Sequence, residues 1–167
     1  NVLKISAYAE SENPRQECAG LSPENSCIYG ARPGPTYAVW GDSHAGTLIG
    51  MIGELARRHG QSVKFLYQSS CPPIAGVGRR DVRKNCFSHN KREFNYLLSA
   101  PDLHTIIMVS RWSVYLEGYN RDFGPAERNE SGDAFITDEL GSVMNSQRRE
   151  RLFEAQMRIT VEKLAKS

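Results

Sequence analysis

An apolar strand, a Gly-Asp-Ser turn and an amphipathic helix follow one another directly near the start of this chain. Residues 36–40 are typical of a short buried strand, and residues 47–59 carry apolar side chains at helical spacing before Gly60. Ser43 lies on the turn between them. A serine there caps the helix through its side-chain oxygen, or presents its hydroxyl as a nucleophile at the positive end of the helix dipole. Either way, this unit is the element that the rest of the chain must pack around.

Further strands and helices alternate after this unit. The pattern predicts strands at 63–67 and 105–110, the latter a continuous apolar run, and helices at 87–98 and 146–166. The intervening segment 111–145 has no clear period, and we expect only a short helix at 133–140. Because strands and helices alternate, the sequence predicts an α/β fold with a parallel sheet.

Polar and aromatic residues follow the carboxyl ends of the first and third predicted strands. If the strand order is 2-1-3, these two ends are neighbours at the switch point where ligands collect in open α/β sheets. Ser43 then shares one rim of the sheet with Arg111 and Trp112. We expect Arg111 to bind a carbonyl or an anionic group, or else to pair with a carboxylate. Trp112, Tyr115 and Tyr119 either stack on sugar rings or belong to the core.

The composition limits the function classes. The chain has 167 residues and a formal net charge of +2, with basic and acidic residues interspersed, which argues for one domain and against nucleic acid as the main partner. It contains no apolar run long enough to cross a membrane and no signal peptide at its N-terminus. It begins without Met, so we expect an excised fragment or a mature product.

Four cysteines lie in two local pairs, each inside a loop rich in Gly, Pro or Asn. Such pairs fit two disulfides, which are typical of the periplasm or the cell exterior. Three connectivities are possible, and the sequential one, Cys18–Cys27 with Cys71–Cys86, closes the shortest loops. A structural zinc site is the rival, but neither pair has the short Cys-x2-4-Cys spacing of such sites. Free buried thiols are the third interpretation.

The first 35 residues differ from the rest in composition. They are too short and too polar to hold a core, so we interpret 1–35 as an extension that packs on a main domain at 36–167. The final amphipathic helix of an alternating series normally leads to another parallel strand. A sheet of three parallel strands would leave an exposed edge, so we expect the domain to be incomplete at its C-terminus.

Several motifs together resemble a known family. Gly41-Asp42-Ser43-His44, at the end of a strand and the start of a helix, resembles block I of the SGNH hydrolase superfamily. The motifs that follow are Ser70-Cys71-Pro72-Pro73, then Cys86, then Ser110-Arg111-Trp112. In this order they resemble the SGNH domain of acyltransferase-3/SGNH fusion proteins, which O-acetylate bacterial surface glycans such as lipopolysaccharide O-antigen. The resemblance covers residues 35–167 and implies a three-layer αβα sandwich with a parallel, flavodoxin-like sheet.

The resemblance also implies roles for residues. Ser43 would be the catalytic nucleophile and its backbone N–H an oxyanion donor, with an Asp-x-x-His pair near the C-terminus as base and orienting acid. No aspartate stands three residues before any of the four histidines, so we expect the pair beyond Ser167, with His44 as a weaker substitute. The asparagine and glycine that many SGNH enzymes use as oxyanion donors are also missing. The Ser70 backbone N–H or the Arg111 side chain are the candidates to replace them.

The remaining assignments are less central. Asp42 is expected to stabilise the turn and to take no part in the chemistry. His44 is expected to form a local hydrogen bond or to face the rim of the sheet where a substrate would bind. His59 and His104 are expected to be structural.

The function that these expectations describe is a periplasmic O-acetyltransferase domain, tethered to the inner membrane, that passes an acetyl group through Ser43 to a glycan hydroxyl. The alternatives are a carbohydrate esterase and a non-catalytic glycan-binding module. The expected partners are the glycan acceptor and a fused acyltransferase-3 membrane domain, with no nucleic acid. We expect no bound cofactor and no metal; acetyl-CoA, the ultimate donor, would act at the membrane domain.

Overall fold

A four-stranded mixed sheet forms the centre of the structure. The structure is a computed structural model that describes residues 17–31, 34–79, 86–117, 135–142 and 144–167. Its strands are β1 (Ile28–Gly30), β2 (Tyr37–Gly41), β3 (Ser62–Tyr67), β4 (Gly78–Arg79), β5 (Thr105–Val109) and β6 (Ile136–Thr137). Its helices are α1 (Ser43–Arg58), α2 (Cys86–Leu98), α3 (Trp112–Glu117) and α4 (Ser146–Leu164).

The main sheet has the strand order β1-β3-β2-β5. The central strand β2 runs parallel to both neighbours, with Gly41 opposite Tyr67 of β3 and opposite Val109 of β5. The three parallel strands therefore have the order second-first-third that the sequence analysis considered. The sheet is mixed rather than wholly parallel, because β1 pairs antiparallel with the outer edge of β3. β4 and β6 form a separate antiparallel pair.

Helices cover both faces of the sheet, which confirms the αβα arrangement. Alternate side chains of β2 point to opposite faces, so Val39 packs with Ile49 of α1 while Trp40 packs with Phe94 of α2. All six residues of β3 are buried, as expected for a strand that is covered on both sides.

Gly41 allows the strand ends near Ser43 to approach each other closely. A Cβ at this position would lie 2.1 Å from the carbonyl oxygen of Val109 and 2.7 Å from the Cβ of Ala45. Only glycine therefore permits β2 to pass into α1 while β5 stays hydrogen-bonded beside it. This close approach brings the ends of the first and third parallel strands together.

Two disulfides join Cys18 to Cys27 and Cys71 to Cys86, so the sequential connectivity is confirmed and no cysteine of the chain is free. The first disulfide lies in the N-terminal extension, whose described part adds β1 to the sheet and packs against α1. Gly53 makes room for this contact, since a Cβ there would lie 2.6 Å from the Cβ of Tyr29. Residues 1–16 lie outside the described residues, and the domain boundary at residue 35 stays a prediction.

Four details differ from the sequence prediction. Helix α3, at Trp112–Glu117, lies in a segment for which a helix was expected only at 133–140. Helix α1 begins at Ser43 rather than at residue 47. The described part of the expected helix at 133–140 is instead strand β6 and a turn, in which Asp138 accepts backbone N–H bonds from Leu140 and Ser142. Finally, β1 pairs with the edge of β3 that would otherwise be exposed. Among the described residues, β5 has one strand neighbour, β2. That the domain is incomplete stays a prediction.

Candidate active site

Ser43 is the first residue of α1, and Asp42 is the residue that caps the helix. The Asp42 Oδ1 accepts a hydrogen bond from the backbone N–H of His44 at 2.8 Å. The interpretation of Ser43 as the cap is therefore wrong, because the preceding carboxylate already occupies that role. The Ser43 side chain is partly exposed and belongs to the first turn, where the helix dipole favours negative charge.

The Asp42 carboxylate also ties the first strand end to the third. Its Oδ2 accepts hydrogen bonds from the Ser110 hydroxyl at 2.7 Å, the Arg111 backbone N–H at 3.1 Å and the Tyr115 hydroxyl at 2.6 Å. Asp42 is only 1% exposed, so these bonds replace the water that a buried carboxylate would otherwise need. Asp42 is a turn residue, as predicted, but no sequence pattern indicated this second role.

Tyr115 is part of this network rather than a sugar-stacking residue. It is 3% exposed and belongs to the core cluster around Ile74 and Ile136, so of the two alternatives for this residue, sugar stacking and the core, the structure favours the core. Burial of the ring and the negative charge of Asp42 both raise the pKa of the Tyr115 hydroxyl. The hydroxyl therefore keeps its proton and serves as a permanent donor to Asp42. Tyr119 lies outside the described residues.

Ser70 lies in a strained turn just after β3. Its φ of 64° makes it the single non-glycine residue with a left-handed backbone among the described residues. Such a conformation is uncommon for residues with a Cβ and requires support from neighbouring groups. A hydrogen bond of 3.2 Å from the Gln68 N–H to the Gly41 carbonyl continues the pairing of β3 with β2 up to this turn. The turn therefore starts from the strand beside the one that ends at Ser43.

Helix α2 supports this loop from the other side. Cys86, its first residue, forms the disulfide with Cys71. The side chain of Asn90, one turn later, is fully buried and donates a hydrogen bond to the Pro72 carbonyl at 2.7 Å. Two consecutive turns of α2 thus hold the Cys-Pro-Pro segment directly after Ser70.

Arg79 is a site residue that the sequence analysis missed. Its Nη1 donates a hydrogen bond of 2.8 Å to the Ser70 carbonyl, and its guanidinium carbon lies 5.8 Å from the centre of the Tyr115 ring. Its Nε is buried without a hydrogen-bond partner among the described residues. Arg79 comes nine residues after Ser70 on the short strand β4 and follows no motif, so no sequence signal marked it.

The other predicted rim residues differ in their surroundings. The side chain of His44 is 49% exposed, and its Nδ1 lies 3.6 Å from Asp42 Oδ1. Arg111 is partly buried and contributes its backbone N–H to Asp42. Trp112 is partly buried, with its ring edge-to-face against Phe153 of α4 at 6.0 Å, so much of its surface packs on the core. Their role in binding a substrate stays a prediction.

The other three histidines lie on other elements or at the far end of α1. His59 ends α1 at the opposite end from Ser43, and His104 precedes β5, at the amino edge of the sheet. His89 is buried inside α2 beside Glu93, with 3.4 Å between its Nδ1 and the Glu93 Oε1. His44 is therefore the one histidine of the chain that lies at the same end of α1 as Ser43. No group of three His, Cys, Asp or Glu residues in the described ranges is arranged to hold a metal ion.

The strand–Gly-Asp-Ser–helix unit, the loop after the second parallel strand and the network at the third strand end are the parts expected of an SGNH fold. A family model described as the SGNH domain fused to AT3 domains matches residues 11–167. This chain belongs to that family of SGNH domains. No curated protein and no solved structure matches it at a significant level.

Membership of the family confirms the fold and the resemblance that the motifs indicated. It makes this SGNH domain one of a class associated with AT3 acyltransferase domains. In the parts of the chain that the structure describes, no helix is both long and apolar enough to cross a bilayer.

Proposed function

We propose that this SGNH domain is an O-acetyltransferase that carries the acetyl group on the Ser43 hydroxyl and passes it to a hydroxyl of a bacterial surface glycan. The observation that carries the proposal is the position of Ser43, which follows the central strand β2 directly and opens α1 with its side chain partly exposed. A hydroxyl at the first turn of a helix lies where backbone N–H groups and the helix dipole stabilise a developing negative charge.

In this proposal the oxyanion is stabilised by backbone N–H groups. Ser43 supplies one at the start of α1, and Ser70 supplies the second from its left-handed turn. Strained backbone conformations are concentrated at functional sites, which supports a role for Ser70. Asp42 acts as a structural carboxylate, since its hydrogen bonds to His44, Ser110, Arg111 and Tyr115 leave it no free role as a base.

Ser43 also needs a general base. Because the sequence has no Asp-x-x-His pair, we assign the base to a histidine outside these 167 residues, as the family resemblance implies. His44 is the alternative within the chain. Its partly exposed ring lies close to Asp42, an arrangement that would orient it.

The proposed setting follows from the disulfides and the family. Two disulfides fit an oxidising compartment such as the periplasm, and a fused acyltransferase-3 domain would tether the SGNH domain to the inner membrane. That membrane domain would supply acetyl groups that originate from acetyl-CoA. Arg111, Trp112 and His44 are proposed to contact the glycan, for which lipopolysaccharide O-antigen is the candidate.

The test is acylation of Ser43 in the whole native protein. A serine-directed fluorophosphonate probe should label the wild type, whereas Ser43→Ala should lose labelling and Ser113→Ala, at an exposed serine of α3, should keep it. Equal labelling of the Ser43→Ala protein would remove Ser43 from its role. His44→Ala should keep most of the labelling if the base lies outside this chain.

Two other functions give different results. An esterase would also be labelled by the probe at Ser43, but it would release free acetate instead of transferring the acetyl group to a glycan. Free acetate and acetylated glycan should therefore be measured together. The absence of an Asp-x-x-His pair from this sequence favours a non-catalytic glycan-binding module as the third candidate. Such a module would bind the glycan with an affinity that Ser43→Ala leaves unchanged, and the probe would not label it.

A further inference from the structure

The backbone around Ser70 is held in place by several contacts. The Cys71–Cys86 disulfide and the Asn90 hydrogen bond to the Pro72 carbonyl fix the segment that follows it. The turn around Ser70 is closed by a hydrogen bond of 3.1 Å from the Cys71 N–H to the Gln68 carbonyl. Arg79 is the side chain that donates a hydrogen bond, at 2.8 Å, to the carbonyl of the strained residue itself. A serine with a φ of 64° relaxes to a negative φ when such contacts are absent.

Arg79 also connects this turn with the Asp42 network. Its guanidinium lies over the Tyr115 ring at 5.8 Å, within the range of a cation–π interaction, and the Tyr115 hydroxyl donates to Asp42 at 2.6 Å. Asp42 in turn caps the helix that begins with Ser43. A continuous set of contacts therefore joins the Ser70 turn to the residue before the nucleophile.

We propose that Arg79 is a positioning residue that holds Ser70 in its left-handed conformation and thereby aligns the Ser70 backbone N–H with the Ser43 hydroxyl. The proposal rests on the function assigned to Ser43 above. It goes further in that it names the side chain that keeps the second oxyanion donor in register with the nucleophile. Arg79 touches no reacting atom in this role.

The test uses Arg79→Met, which keeps the length of the side chain but removes the guanidinium. In the whole native protein, the limiting rate of Ser43 labelling by the fluorophosphonate probe should fall about 10- to 100-fold, because small misplacements of an oxyanion donor cost that much. The half-saturating probe concentration should change little. An unchanged limiting rate would overturn the proposal. So would a variant that differs from the wild type only in a higher half-saturating probe concentration.

Rescue by glycine separates positioning from general stability. Glycine adopts positive φ without strain, so Ser70→Gly in the Arg79→Met background should raise the rate about fivefold above that of Arg79→Met alone. The matched control is Arg149→Met, because Arg149 also binds backbone carbonyls, those of Leu116 and Met144, and stacks on Phe135. Its rate should change less, and Ser70→Gly should not improve it.

A structural readout makes the test independent of activity. NMR couplings or a crystal structure of the Arg79→Met protein should show that Ser70 has left positive φ. If Ser70 keeps the left-handed conformation without the guanidinium, Arg79 does not hold it. If Arg79→Met does not fold, Arg79→Lys replaces it in both measurements, since lysine lacks the planar fork that reaches the Ser70 carbonyl. Failure of wild-type labelling at Ser43 would count against the proposed function alone.

Discussion

The hydroxyl of Tyr115 donates a hydrogen bond of 2.6 Å to the carboxylate of Asp42, across 73 residues of sequence. This bond joins the end of the central strand to the helix that follows the third parallel strand. Asp42 immediately precedes the proposed nucleophile, so a contact far along the chain fixes the turn on which Ser43 lies. Because the bond is buried, water does not replace the Tyr115 hydroxyl when it is removed.

Replacing Tyr115 with Phe removes one of the donors to Asp42. We expect Tyr115→Phe to lower the free energy of unfolding by about 1–3 kcal/mol, because the carboxylate keeps its burial but loses a charge-assisted bond. Denaturant unfolding measures this. The control is Tyr37→Phe, at a tyrosine that is 36% exposed, which should change stability by less than about 0.5 kcal/mol. Equal losses in the two variants would contradict the importance of the Asp42 contact.

Replacing Gly41 with Ala forces β2 and β5 apart. A Cβ would lie 2.1 Å from the Val109 carbonyl oxygen, closer than real contacts allow, so we expect a loss of about 3 kcal/mol in the free energy of unfolding and a loss of probe labelling at Ser43. Thermal unfolding and labelling are measured in parallel. Gly34→Ala is the matched control, because no atom lies within 4 Å of a Cβ there. The prediction fails if both variants unfold at the same temperature.

Helix α2 buries a second titratable cluster, around Glu93. Burial raises the pKa of the Glu93 carboxyl to about 7, although Arg92 and Lys64 of β3 oppose the shift and Glu24 of the Pro23–Asn25 turn adds to it. Burial, helped by the charge of Arg92, lowers the pKa of the neighbouring His89 to about 4. Both residues are therefore held neutral near pH 5.5. They respond to pH in opposite directions.

The signs of the two contributions can be worked out. Glu93 has a folded-state pKa above its ordinary value of 4.5, so its contribution is complete below pH 4.5 and is lost as the pH rises through about 7. His89 has a folded-state pKa below its ordinary value of 6.5, so its contribution is complete above pH 6.5 and is lost as the pH falls through about 4. Between pH 4.5 and pH 6.5, the stability contributed by Glu93 falls as the pH rises, whereas the stability contributed by His89 increases.

Glu93→Gln should reveal the pH dependence of the free energy of unfolding that is due to His89. The free energy of unfolding of the variant should rise by about 3 kcal/mol from pH 4 to pH 6.5, whereas the wild type stays nearly flat. At pH 8 the variant should be the more stable protein, since it no longer buries a carboxylate. Denaturant unfolding over this pH range measures both effects. Glu150→Gln, at an exposed position of α4, is the control and should keep the wild-type profile. A flat profile in Glu93→Gln would contradict the assignment.

The two disulfides should differ in their effect on the site. Replacing both Cys71 and Cys86 with Ser should cost about 3 kcal/mol of stability and also slow Ser43 labelling, because this disulfide holds the loop next to Ser70. Replacing Cys18 and Cys27 opens a shorter loop, with a sequence separation of 9 against 15, and should cost slightly less stability, but leave the labelling rate unchanged. The measurement is labelling at a temperature where all the proteins are folded. Equal rates in the two double variants would contradict the prediction.

The architecture could be predicted because it depends on local patterns. The apolar run at Thr105–Val109 indicated a strand, and the helical spacing before Gly60 indicated α1. The expectation that this strand is covered on both faces was wrong, because its residues are exposed or only partly buried. The strand order 2-1-3 was only a condition in the sequence analysis, and the structure supplied it. The antiparallel strand β1 was missed, because three residues in a segment rich in Ser, Pro and Gly carry no periodic signal. The two-residue strands β4 and β6 were missed for the same reason.

The sequence by itself determined that Ser43 stands between a buried strand and a helix, because β2 and α1 are formed by residues adjacent in the chain. It also indicated the disulfide pairs, since their partners are close in sequence. Only the tertiary structure decided which group caps α1 and which residues surround the turn. Tyr115 reaches Asp42 across 73 residues of sequence, and Arg79 reaches Ser70 across nine. No local pattern in the sequence encodes either contact. The strained φ of Ser70 likewise arises from its neighbours in space, since serine alone prefers the other conformation.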